Sequence, residues 1–154
     1  MNTPAYQLSA NADNTVFEFI STGKNGSISK AIKYTQTLNP AVYNLGFGDI
    51  VFCDDTTVEI DDDTLSNNGD LQKVIATVVY SAYIFTEHYP EAFILFGSSN
   101  PAKLRLYRMF LSHNLTEILK EFVVNGAVHN KQGQFVNEAF STSHNVEGYF
   151  VRRR

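Results

Sequence analysis

Phe93-Ile-Leu-Phe-Gly-Ser-Ser-Asn-Pro-Ala-Lys-Leu-Arg-Leu-Tyr-Arg-Met-Phe110 reads as a buried strand, a short polar loop and a helix. Ala92 to Phe96 is apolar but too short for a buried helix, which makes it a strand expected in the middle of a sheet. Gly97, Ser98, Ser99 and Asn100 form the loop. Pro101 then stands where a first helical residue tolerates a missing N–H and a fixed φ, and the Ser or Asn before it can cap the helix. A capped helix start presents free backbone N–H groups and the positive end of the helix dipole, which favours an anion. Arg105 and Arg108 share a helix face, Lys103 lies to one side, and Leu104, Tyr107 and Leu111 make the core stripe. Ser98, Ser99, Asn100, Lys103, Arg105 and Arg108 are therefore the candidate ligand-binding residues, for a phosphate or carboxylate. The plain alternative is a strand-loop-helix whose Ser and Asn only cap and whose cations are solvated.

Upstream, Thr15 to Thr22 alternates apolar and polar residues as a strand does, and Ile28 to Leu38 places Ile28, Lys30, Ile32, Tyr34 and Gln36 on one strand face. Gly23-Lys-Asn-Gly26 between them predicts a tight hairpin turn. It lacks the spacing of a phosphate-binding loop, and no helix follows. Val42 to Asp49 predicts a third strand, which Val51 to Cys53 extends. Asn67, Asn68 and Asp70 then predict capping of a helix whose stripe is Leu71, Val74, Ile75, Val78, Ala82 and Phe85, stopped by Tyr89-Pro90. Downstream, Asn114-x-x-Glu117 resembles a capping box for a further helix carrying Leu115, Ile118, Leu119 and Phe122 and ended by Asn125-Gly126. Two short strands follow, around Phe135 to Phe140 and Tyr149 to Val151. This order predicts one α+β domain over residues 1–154, a mainly antiparallel sheet with helices packed on one face.

A chain of 154 residues, 44% hydrophobic and 18% charged, can bury a real core, and with 12 Phe, 8 Tyr and no Trp that core is expected to be aromatic. Net charge is −4, which argues against non-specific coating of nucleic acid. Its distribution says more. Tyr34 to Gln72 holds no Lys or Arg but eight of the sixteen acids, whereas Ala92 to Thr116 holds Lys103, Arg105 and Arg108 and no acid, and Arg152 to Arg154 end the chain. One acidic and one basic surface would suit a charged ligand or self-association equally well. The Arg152 to Arg154 tail is expected to be mobile unless it pairs with the Asp54 to Asp63 region.

Cys53 has no disulfide partner, and the start lacks a signal-peptide pattern, so a reducing cytoplasm is the expected setting. No apolar run reaches the length of a membrane span, and no membrane partner is expected. Neighbouring aspartates disfavour a Cys53 thiolate, which reads as buried packing. The four histidines, His88, His113, His129 and His144, are scattered, and Asp61-x-Asp63 lacks the glycine of a calcium loop. No metal and no cofactor is expected. Tyr107, Arg108 and His113 suggest a metal-independent nuclease only weakly, because the core stripe needs Tyr107.

Tyr43-Asn-Leu-Gly-Phe-Gly-Asp49, the Asn68-Gly-Asp70 helix start and Phe96 to Arg108 together resemble a family of small bacterial proteins, common in the Bacteroidetes, known as a domain of unknown function. The resemblance runs from the first strand to the basic helix and implies a bacterial intracellular setting, with Arg expected where this chain has Lys103. It implies no chemistry and no catalytic residues. Two functions remain open: binding of a phosphate-bearing ligand, nucleotide or RNA, in a toxin-antitoxin or phage-defence setting, or a non-enzymatic module forming a homodimer or docking a partner protein.

Overall fold

The computed structural model describes residues 4–62, 66–97, 100–129, 131–133, 135–140 and 146–154. Among them the strands are β1 (Ser9–Ala10), β2 (Val16–Gly23), β3 (Gly26–Gln36), β4 (Val42–Cys53), β5 (Val58–Asp61), β6 (Phe93–Gly97), β7 (Phe122–His129), β8 (Phe135–Ala139) and β9 (Gly148–Arg153). The helices are α1 (Leu71–His88), α2 (Pro101–His113) and α3 (Leu115–Ile118). All strand pairings described below are antiparallel except one. The α+β character and mainly antiparallel sheet expected from the sequence are present, and the chain is rich in strand. The chain divides into two compact units, Asn2–Thr35 with Gly46–Tyr89, and Gln36–Leu45 with Pro90–Arg154. The first holds eleven Asp and Glu against four Lys, net −7; the second holds five acids against eight Lys and Arg, net +3. We call them the acidic and the basic unit.

In the acidic unit β1 pairs with β2, β2 with β3, and the end of β4 with β5, with an irregularity between Ile50 and Phe52. The β2–β3 register, Phe17 opposite Ile32 and Phe19 opposite Lys30, puts these four residues on one side, where all are buried. Alternation along a strand explains this face, and the hairpin turn sits where Gly23 pairs with Gly26, whose φ is +85°. The buried side of α1 packs on that face: the Tyr34 and Phe85 rings stack 4.1 Å apart, and the Tyr34 hydroxyl lies 2.8 Å from Ser81 Oγ. Burial pushes the Tyr34 hydroxyl pKa well up. Thr77, Ser81 and Thr86 extend the buried stripe although they are polar, because their hydroxyls bond to the carbonyls of Lys73, Val78 and Ala82 on their own helix.

In the basic unit Val42, Tyr43 and Asn44 of β4 pair with Phe93, Ile94 and Leu95 of β6, the one parallel pairing. β6 then pairs with β9, β9 with β7 and β7 with β8. The expected helix from Asn114 to Phe122 is corrected here: α3 stops at Ile118 and Phe122 opens β7. Asn114 closes α2 instead of capping α3, its Nδ2 donating to the Phe110 carbonyl. Asn125-Gly126 consequently lies inside β7, opposite Ala139 and Glu138 of β8.

Candidate anion-binding face

β6 delivers the chain to α2 between β4 and β9, as the sequence leads one to expect. Gly97 and Gly148 are opposite one another at the end of that pairing. A Cβ on Gly97 would come 2.7 Å from the Glu147 carbonyl oxygen, and one on Gly148 2.8 Å from that of Phe96, so both positions need glycine. Ser98 and Ser99 lie outside the described residues. Asn100 caps α2, its Oδ1 accepting from the Ala102 N–H at 2.9 Å, with Pro101 in the first turn.

The helix turns Lys103, Tyr107 and Leu111 inward, and they are buried, whereas Leu104 is only half-buried. Positions four apart on one stripe account for this, and the anchor is aromatic: Tyr107 meets Phe96 edge-on at 5.3 Å, and Phe96 meets Tyr149 at 5.5 Å. The expected stripe led by Leu104 is therefore replaced by one led by Lys103, which is only 2% exposed and stands on the packed side of the helix. Arg105 is exposed and Arg108 half-buried, about sixty degrees apart around the axis and away from the buried stripe. Arg108 lies near Tyr149: burial raises the Tyr149 pKa, and the guanidinium charge pulls the other way. Of the six candidates, the structure brings Arg105 and Arg108 together on one accessible side, seats Asn100 as a cap and buries Lys103. Two of the C-terminal arginines make local bonds, Arg153 to Glu121 at 3.2 Å and Arg154 Nε to the Leu119 carbonyl at 2.6 Å.

A polar cluster in the acidic unit was not singled out by the sequence reading. Lys30 Nζ donates to Asp49 Oδ1 and Ser66 Oγ, each at 2.5 Å. Asp70 spends its carboxylate on the Tyr6 and Ser21 hydroxyls, both 2.5 Å away, and makes no helix-capping bond, contrary to the capping role expected of it. Asn68 accepts from the Asn25 N–H at 2.7 Å and donates to Ser21 Oγ and the Gly26 carbonyl, which ties the segment before α1 to the hairpin turn. A Cβ on Gly23 would overlap the Asn68 carbonyl oxygen. The available signal was Lys30 itself, a cation on a face shared with Ile28, Ile32 and Tyr34. These groups bond to one another around the buried Lys30, Ser21 and Asn68, and the cluster fixes the fold. Cys53, expected to be buried, is exposed at the end of β4, where it stands opposite Val58 of β5.

No helix among the described residues is long and apolar enough to cross a membrane. A model of a family of unknown function (DUF6934) matches residues 2–154. Neither a curated protein nor a solved structure matches the chain.

Proposed function

We propose that this chain, which belongs to that family of unknown function, binds a phosphate-bearing ligand, a nucleotide or RNA, on the face of α2 that carries Arg105 and Arg108. The observation that carries the reading is the orientation of this pair. Both arginines lie away from the packed stripe, on a helix without a single acid and in the unit of net positive charge within a protein of net −4. Guanidinium groups so placed give bidentate, charge-assisted bonds to phosphate oxygens, which a lysine does not. Asn100 and the loop before it set where the helix starts, and Arg108 keeps its position beside Tyr149. The binding site lies on the surface and needs no cofactor, and a cytoplasmic nucleotide or RNA pool would supply the ligand.

Titration of the full chain with a nucleotide panel and a short RNA, at low and moderate salt, tests this. Arg105→Ala and Arg108→Ala each weaken binding by about 1–3 kcal/mol. Arg105→Ala leaves the melting temperature nearly unchanged, because an exposed cation contributes little to stability. Equal binding by the double variant, or no binding by the wild type, refutes the reading.

A further inference from the structure

An open groove of about 660 Å³ is lined by Glu18, Phe19, Ile20, Ser29, Ile50 and Cys53, of which Glu18, Ile20 and Ser29 stand on the side of the β2–β3 pairing that alternates away from Phe17 and Ser21. Ile20 is 55% exposed, and the adjoining end of β4 leaves Val51 at 64% and Phe52 at 49%. Clustered apolar exposure of this kind marks a surface that another surface covers. Carboxylates frame it. Glu18 lines the groove, Asp54 and Asp55 follow Cys53 directly, and Glu59 stands opposite Phe52 in the β4–β5 pairing. The Thr56 and Thr57 backbone N–H groups hold the Asp54 carboxyl below its ordinary range, so it is charged at neutral pH.

A matching surface is present on the basic unit. Met109 on α2 is 46% exposed, one helical turn after Arg105 and next to Arg108. It is a flexible apolar side chain beside Arg105, with which it shares one side of the helix. We propose that the groove receives this α2 face from a second copy of the chain, with Met109 entering between Ile20 and Ile50 and the arginines facing Glu18, Asp54 and Asp55. The opposite charges of the two units, −7 and +3, select this pairing over groove against groove, which would bring like charges together. Repeated from copy to copy, a contact between two different surfaces builds open chains, and reciprocated between two copies it closes a dimer.

The inference does not rest on the phosphate reading, although it uses the same arginines, and its test contains no nucleotide. Sedimentation of the full chain is expected to show self-association at about 50 mM salt that falls at least tenfold at about 500 mM. Glu18→Arg and Arg105→Glu, each with a far-UV spectrum like the wild type, are expected to be monomeric alone and to associate when mixed. A mixture that stays monomeric overturns the proposal. Because Cys53 is the one cysteine of the chain, Met109→Cys gives an independent measurement. Mild oxidation should yield covalent dimers whose linking peptide joins Cys53 to position 109, lost in the Cys53→Ser background. Covalent dimers undiminished in that background overturn the proposal. Failure here leaves nucleotide titration of the monomer as a separate result.

Discussion

Removing Asp49 should damage the protein more than removing the lysine it pairs with. Lys30 is 7% exposed in its side chain and bonds to Asp49 and Ser66; Asp49 is 35% exposed. Asp49→Ala leaves a buried ammonium with only the Ser66 hydroxyl, and breaking a buried pair in this way costs about 3–5 kcal/mol. The remaining hydroxyl and the partial exposure of the site place the expected loss near the lower bound, about 3 kcal/mol. Lys30→Met keeps the apolar stem and removes the charge. It strands an aspartate that water reaches and that still accepts from Ser66 at 3.1 Å, for a loss of about 1 kcal/mol. The double variant should resemble Lys30→Met alone, which gives a coupling of about 3 kcal/mol in the double-mutant cycle. Urea unfolding followed by far-UV circular dichroism measures all four proteins, and an unchanged slope shows that stability alone has moved. Equal losses for the two single variants, adding in the double, would refute the reasoning and class the pair with exposed ion pairs.

Tyr34→Phe should lose about 1 kcal/mol at neutral pH with the Ser81 bond. The folded state raises the Tyr34 pKa, so above about pH 10 the unfolded chain releases this proton while the folded one keeps it. Wild-type stability is then lost as pH rises, and the variant should lose less over that window; parallel curves would disprove the assignment. Gly97→Ala should destabilise by about 1–3 kcal/mol in urea, because its Cβ meets the Glu147 backbone and the ends of β6 and β9 must part. An unchanged midpoint would mean that the strand ends do not approach so closely.

Patterns of local origin were legible in the sequence. The Gly23 to Gly26 turn, the Leu71 to His88 helix with its stop at Tyr89-Pro90, and the start of α2 at Pro101 all depend on neighbours within one turn of chain. What escaped depends on distant partners. Phe122 suits an amphipathic helix equally well, and only pairing with Arg153 of β9 makes it a strand residue. Asp70 is a good cap by type, but hydroxyls on Tyr6 and Ser21, 64 and 49 residues away in sequence, compete for its carboxylate and win. The site divides in the same way. The spacing of Arg105 and Arg108 fixed their common side, whereas the inward turn of Lys103 follows from where Phe96 and Tyr149 receive Tyr107.

The twelve residues of β4 carry a temporal consequence during synthesis. Residues through Tyr89 complete the acidic unit, yet Val42, Tyr43 and Asn44, already emerged in the same strand, must wait for Phe93, Ile94 and Leu95 before they pair. Synthesis at about 5–20 residues per second leaves that segment without its partner for an interval in which a strand edge of another nascent chain could take the place of β6. A nascent chain whose residues through Tyr89 have left the ribosome while β6 has not is therefore the species in which the acidic unit is complete and Val42 to Asn44 lack their β6 partner.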